Sequence, residues 1–229
     1  MILAMVHSPA QATNLVQNGS FENIGSATHS FSINNPTILP NWAATPSGNK
    51  ILDCLVVAGE SMSLCGGAFE GTLSFWQHPG PSPDGGNFVA IDGSSSYATP
   101  LTQTINGLTI GSNYIVSFYQ AAGQQYGYDG DTTERWKVTF GSAIQYSTLM
   151  STPNHGHVGW MSQALTFTAT ATSQVLSFMA VGTPAGLPPF VFLDGVAVNQ
   201  VGQVPEPGTM GLIALGLLAF PAARRLRRK

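Results

Sequence analysis

No stretch between residues 13 and 204 holds a helical hydrophobic period for three turns. Instead, short apolar segments recur, each bounded by Gly, Pro, Asn or Ser. Runs of that length, set off by turn residues, predict strands. The series begins with a short strand at Leu15 and Val16 and continues with 51–58, 72–76, 88–92, 101–105, 114–121, 136–140, 163–170, 175–181 and 191–198. Asn18-Gly19, Asn106-Gly107 and the cluster Gly111-Ser112-Asn113 supply the turns between strands. So many short strands in one stretch predict an antiparallel sandwich. Alternation assigns the faces: Trp136, Val138 and Phe140 share one side of a strand, and Leu165, Phe167 and Ala169 share one side of another. Both sets should line the core. Trp160 has the opposite parity from Leu165, so without a bulge it faces away from that core or covers a sheet end.

Composition supports strands over helices. Only 8% of residues are charged, against roughly 25% in an average soluble domain. The Lys, Glu and Arg that coat the wet face of a helix are scarce, while 21 Ser and 20 Thr suit the wet face of strands. Residues 13–204 carry ten acids against three bases, a net −7. The last 25 residues carry Glu206 against five bases, a net +4. An acidic body is poorly suited to grip phosphate backbones, which argues against a nucleic-acid partner.

Cys54 and Cys65 are the two cysteines. In an exported chain their simplest use is a disulfide clamping a hairpin or loop, worth about 3 kcal/mol or less for so short a loop. The alternative is a pair of buried thiols. No CxxC or HxxxH spacing supplies a zinc site.

Both termini look like addresses. The apolar start Met1 to Val6, followed by the small-x-small site Ala10-Gln11-Ala12, fits the back half of a secretory signal peptide over 1–12. With no basic region before it, the reading frame is expected to begin upstream. At the other end, a linker over 201–208 contains Pro205-Glu206-Pro207. An apolar helix over 209–223 follows, short of the roughly 17–25 residues of a stable span. The chain closes on a basic tail over 224–229, with Arg224, Arg225, Arg227, Arg228 and Lys229. Those charges would hold the C-terminus in the cytoplasm and the body outside.

This three-part tail resembles the PEP-CTERM sorting signal of Gram-negative bacteria. The resemblance implies export through the Sec machinery, transient insertion in the inner membrane and cleavage near the Pro-Glu-Pro by an exosortase. It further implies delivery to the cell surface or the exopolysaccharide matrix.

Within the body, Asn18-Gly19-Ser20-Phe21-Glu22 at the start and Phe192-Leu193-Asp194-Gly195-Val196 near the end look like the first and last strands of jelly-roll carbohydrate-binding modules of the galactose-binding-like fold. Leu101 to Ile105 and Tyr114 to Phe118 fit the same group. The resemblance implies an all-β, antiparallel jelly-roll β-sandwich over 13–200, followed by the short C-terminal hydrophobic helix. It also implies a structural calcium joining first and last strands, with Glu22 and Asp194 as carboxylate ligands and backbone carbonyls completing an oxygen shell. Two such carboxylates repel unless a cation lies between them. Gly195 stands where many relatives carry a second acid, a departure that weakens the carry-over.

Polysaccharide is the expected ligand class. The polar, aromatic loop 124–131 contains Gln124, Tyr126 and Tyr128, types that stack on and hydrogen-bond sugars, and Trp160, Trp42 and Trp76 are further candidate platforms. The alternative is that the tryptophans are core residues and the tyrosines ordinary loop residues. Asp129 and Asp131 resemble the start of a calcium loop that nothing later completes. His155-Gly156-His157 reads as a polar loop before a metal site. No Gly-x-Ser-x-Gly elbow, His-Glu-x-x-His helix or Walker loop occurs. The expected function is therefore that of a non-enzymatic surface protein that binds glycan. The alternatives are a secreted polysaccharide hydrolase, with two of the acids flanking a cleft, and a structural surface protein that binds no sugar.

Overall fold

The structure, a computed structural model, describes residues 13–25, 39–44, 53–58, 73–77, 79–95, 97 and 100–202. The leader over 1–12, Cys65, the Pro-Glu-Pro motif, the apolar run and the basic tail lie outside the described residues. The described residues contain no helix. They form eleven strands: β1 (Ala43–Ala44), β2 (Asp53–Val56), β3 (Phe88–Asp92), β4 (Leu101–Asn106), β5 (Asn113–Gln124), β6 (Thr132–Phe140), β7 (Ala143–Tyr146), β8 (Met150–Thr152), β9 (His157–Thr168), β10 (Ser173–Thr183) and β11 (Pro189–Gln200).

Two antiparallel sheets face each other in an all-β jelly-roll sandwich. One runs β1-β4-β10-β6-β7, with β8 also pairing β6; the other runs β2-β3-β11-β5-β9. Period-two alternation builds the layer between them. In β6, Trp136, Val138 and Phe140 are buried, and the residues between them are partly exposed. Phe118 of β5 and Trp136 of β6 both meet Phe178 of β10 edge-on, at 5.1 and 5.9 Å between ring centroids, a geometry that suits the ring quadrupoles. Phe167 and Ala169 are buried as their parity requires, and Leu165 packs at the margin of the same core. Fully burying one such large side chain contributes about 1.5–3 kcal/mol.

The ends of this unit, Thr13–Gln200, meet as the sequence suggested. Leu15 donates its amide to Val198 at 3.0 Å, and Val196 donates to Gly19 at 3.0 Å. Leu15 and Val16 form no regular strand, however. Gly19 is required where it stands, since a Cβ there would lie 2.0 Å from the Val196 carbonyl oxygen.

Several strand expectations are corrected. The segment 72–76 is not a strand where it is described; its only ladder contact is a single bridge from Phe75 to Gln125. Of the expected 51–58 strand, Asp53–Val56 is strand and 57–58 lie past its end, while 51–52 lie outside the described residues. The short strands β1, β7 and β8 went unread, because two to four residues are too few to establish an alternation. Trp160 does point away from the main core, next to a register shift where Gln120 pairs Met161 but Ala122 pairs Val158. Its side of the sheet is not wet. Leu73, Phe75, Phe88, Phe190 and Phe192 pack there with Trp160 as a second apolar cluster.

Candidate functional site

Three segments distant in sequence meet at one end of the β5 strand. Residues 74–76 run antiparallel to 124–126: Trp76 donates its amide to Gln124 (3.1 Å) and Tyr126 donates to Ser74 (2.8 Å). In an extended segment neighbouring side chains point to opposite sides. Phe75 therefore turns into the second apolar cluster, 5.0 and 5.1 Å from Phe190 and Phe192. Trp76 turns the other way. Its indole stacks on His155, with ring centroids 3.8 Å apart and planes 29° off parallel, and lies 4.3 Å from the Tyr126 ring. The indole N–H donates to the Tyr128 carbonyl at 2.9 Å.

Beneath these rings a polar layer joins the loops. Gln124 is fully buried. It donates to the Gly130 carbonyl at 2.7 Å and accepts the His155 amide at 2.7 Å. Asn154 accepts the Gly130 amide, and the Asp131 carboxylate accepts the Asn154 amide. His155 holds a positive φ of 59°, uncommon for a residue with a side chain and sustained here by its surroundings. Its Nε2 lies 2.6 Å from Asp129 Oδ1. Above the layer, Tyr126 is 58% and Tyr128 37% exposed, and Asp129 stands well out in solvent.

The structure thus gathers Tyr126, Tyr128, Trp76, Asp129 and His155 at one rim and separates two other expected ligand residues from it. Gln124 faces inward and holds the loops together. Trp160 packs edge-on against Phe88 at 5.4 Å and donates to the Gly80 carbonyl at 3.1 Å. Trp42 and Trp136 are core residues. The two imidazoles of the His-Gly-His turn engage different partners, Asp129 for His155 and Gln77 for His157.

A second feature lies where the chain's ends meet. Asp194, on β11, is fully buried, and neither of its carboxylate oxygens has a hydrogen-bond partner. Burial pushes its carboxyl up to about 7. Ser82 and Gly195 temper that rise without reaching hydrogen-bonding geometry, and the negative charges of Asp84 and Glu22 add to it. Glu22 is fixed nearby, with its Oε1 accepting the Asn87 amide at 2.8 Å. Gly86 leaves the space for it, since a Cβ there would come 2.1 Å from that oxygen. Two anionic groups, one with both oxygens orphaned, suit a hard cation. Among the described residues no three acidic, histidine or cysteine side chains gather to hold a metal by themselves. A cation here would therefore draw on backbone or hydroxyl oxygens as well.

Two further buried carboxylates escaped the sequence reading. Glu134 occupies an inward position of β6 and accepts a hydrogen bond from the Thr152 hydroxyl. Its second oxygen is unpartnered, and burial pushes its carboxyl up to about 7. Asp92 accepts the Ser94 amide at 2.7 Å and is raised by burial to about 6. Position parity places Glu134 in the core, which could have been read from Trp136; nothing in the sequence marks Asp92.

In comparisons with known proteins, the chain is 30% identical over 196 residues to Halomucin of Haloquadratum walsbyi. The match takes in 85% of this chain, which spans only 2% of that protein's length. Among solved structures, TmCBM61 in complex with β-1,4-galactotriose is similar at a TM-score of 0.45 and 17% identity, over 82% of this chain and 99% of that one. The CBM22-1 xylan-binding domain of Paenibacillus barcinonensis Xyn10C is similar at a TM-score of 0.36 and 12% identity, over 76% and 94% of the two chains. At the C-terminus the match is to a sorting signal: residues 203–229 carry the PEP-CTERM protein-sorting motif.

Proposed function

We propose that this chain is an exported, non-enzymatic surface protein whose sandwich binds a glycan at the Trp76–Tyr126–Tyr128 rim. The carrying observation is the Trp76–His155–Tyr126 stack. It lies apart from both apolar clusters, is positioned by a buried polar layer, and ends in two exposed tyrosines. An exposed aromatic face packs against the C–H face of a sugar, while neighbouring carboxylate, imidazole and amide groups hydrogen-bond its hydroxyls. In this reading the Sec machinery exports the chain. The apolar run over 209–223 holds it briefly in the inner membrane of a Gram-negative bacterium, and an exosortase acting near Pro205-Glu206-Pro207 passes it to the cell surface or the exopolysaccharide matrix. A structural calcium on Glu22 and Asp194 and a Cys54–Cys65 disulfide stabilise the exported domain.

A glycan array probed with the full chain tests the reading. Binding to a defined set of glycans, lost in both Trp76→Ala and Tyr126→Ala, is the expected result. No binding, or binding indifferent to both substitutions, would overturn it.

A further inference from the structure

We infer that the outer face of the β4-β10-β6-β7 sheet is a second binding surface, built for an anionic, carboxylate-bearing polysaccharide. Of the chain's eight Lys and Arg residues, only Arg135 and Lys137 lie among the described residues. Both are on β6, two positions apart and therefore on the same side of the sheet, with side chains about 7 Å apart along the strand. That side is the outer one, because Glu134, Trp136 and Val138 point inward.

None of the described acids shares this face. The strand register places Met179 and Tyr146 beside Lys137, Val181 beside Arg135, and Ser177 and Ile144 beside Thr139. The described carboxylates lie elsewhere: Glu134 inside the sandwich, Asp53, Asp92 and Asp194 on strands of the other sheet, Glu22 and Asp84 near Asp194, and Asp129 and Asp131 on the rim loop. Among the described residues neither Arg135 nor Lys137 forms an ion pair. Both local positive charges are thus left for a partner, although the body as a whole is −7. At physiological salt the fields of the distant carboxylates are screened within about 8 Å, so a docking polymer responds to the local sign.

The geometry narrows the partner further. The Arg135 guanidinium lies 4.2 Å above the centroid of the Tyr146 ring. A guanidinium over an aromatic face still has N–H donors to offer, and these match a carboxylate in a two-bond pairing. Tyr146 is 45% exposed, and Ile144 and Val175 are about half exposed. Aromatic and apolar patches therefore flank the cations, with hydroxyls of Thr139 and Ser177 between them. Cations, an aromatic ring and hydroxyls on one sheet face suit an extended polymer of uronate residues. Nucleic acid is the weaker fit, since two cations displace few condensed counterions.

The test is retention of the full chain in mild detergent on immobilised polygalacturonate. It is run beside a full-length variant in which the five terminal bases are changed to Gln, so that the tail cannot account for the result. The tail variant should still be retained, its retention should fall at least tenfold on adding Arg135→Gln and Lys137→Gln, and retention should weaken with rising salt. Neutral dextran should retain none of them. Trp76→Ala should leave polygalacturonate retention unchanged, which separates this surface from the aromatic rim. Near-ultraviolet circular dichroism checks that the variants stay folded. Retention that survives the double substitution would overturn the inference. So would loss of retention in the tail variant alone, tighter retention on a single-stranded oligonucleotide, or self-association that disappears with the same two substitutions.

Discussion

The imidazole of His155 lies flat on the indole of Trp76, 3.8 Å between centroids, while its Nε2 reaches Asp129 at 2.6 Å. One residue thus ties the segment before β3 to the β5–β6 loop. If this rim is the glycan site, Trp76→Ala and Tyr126→Ala should each lower affinity at least tenfold, about 1.4 kcal/mol, in isothermal titration with a glycan identified on the array. Phe75→Ala is the contrast. Phe75 adjoins Trp76 in sequence but packs on Phe190 and Phe192, so it should cost roughly 2 kcal/mol or more of stability, read by urea denaturation. Equal binding losses and no stability difference between the two positions would contradict the division of roles.

Asp194 and Glu22 make a separate prediction. With calcium at about 100 times its dissociation constant, linkage stabilises the folded state by about 2.7 kcal/mol. That corresponds to a rise in melting temperature of roughly 5–10 °C for a domain of this size. Asp194→Asn should abolish the rise. Identical melting in calcium and in EDTA would remove the proposed site.

Glu134 predicts a pH dependence. Its carboxyl is raised from an ordinary 4.5 to about 7 in the folded state, so between those values the folded protein holds a proton that the unfolded chain has released. Stability should therefore be full below about pH 4.5 and fall as pH rises to about 7. Asp92, raised from 3.8 to about 6, acts in the same direction over a lower range. Glu134→Gln should match the wild type near pH 4 and exceed it by on the order of 2–3 kcal/mol at pH 8. Parallel denaturation midpoints from pH 4 to 8 would refute the assignment.

For the sorting motif, replacing Pro205-Glu206-Pro207 with alanines should leave full-length protein in the membrane fraction of the native host, seen by immunoblot. Normal processing of that variant would end the exosortase reading.

The sandwich was largely legible in the sequence because its strands are long enough to alternate. Trp136, Val138 and Phe140 declare a buried face, and β3 was bounded at both ends by the flanking turn residues Asn87 and Gly93. The sequence also determined the acidic body, the basic tail and the sorting motif, since these are properties of composition and order that need no folding. The tertiary structure decided what local pattern cannot encode. It packed the outward-facing Trp160 into a second apolar cluster, because Phe75 and its neighbours fold over that side of the sheet. It turned Gln124 inward as a loop tie and brought Trp76 to Tyr126 and His155. It also set Arg135 and Lys137 on a face that none of the described acids shares. Each outcome depends on which strands become neighbours and in what register, and strand pairing joins residues far apart in the chain, beyond the reach of periodicity.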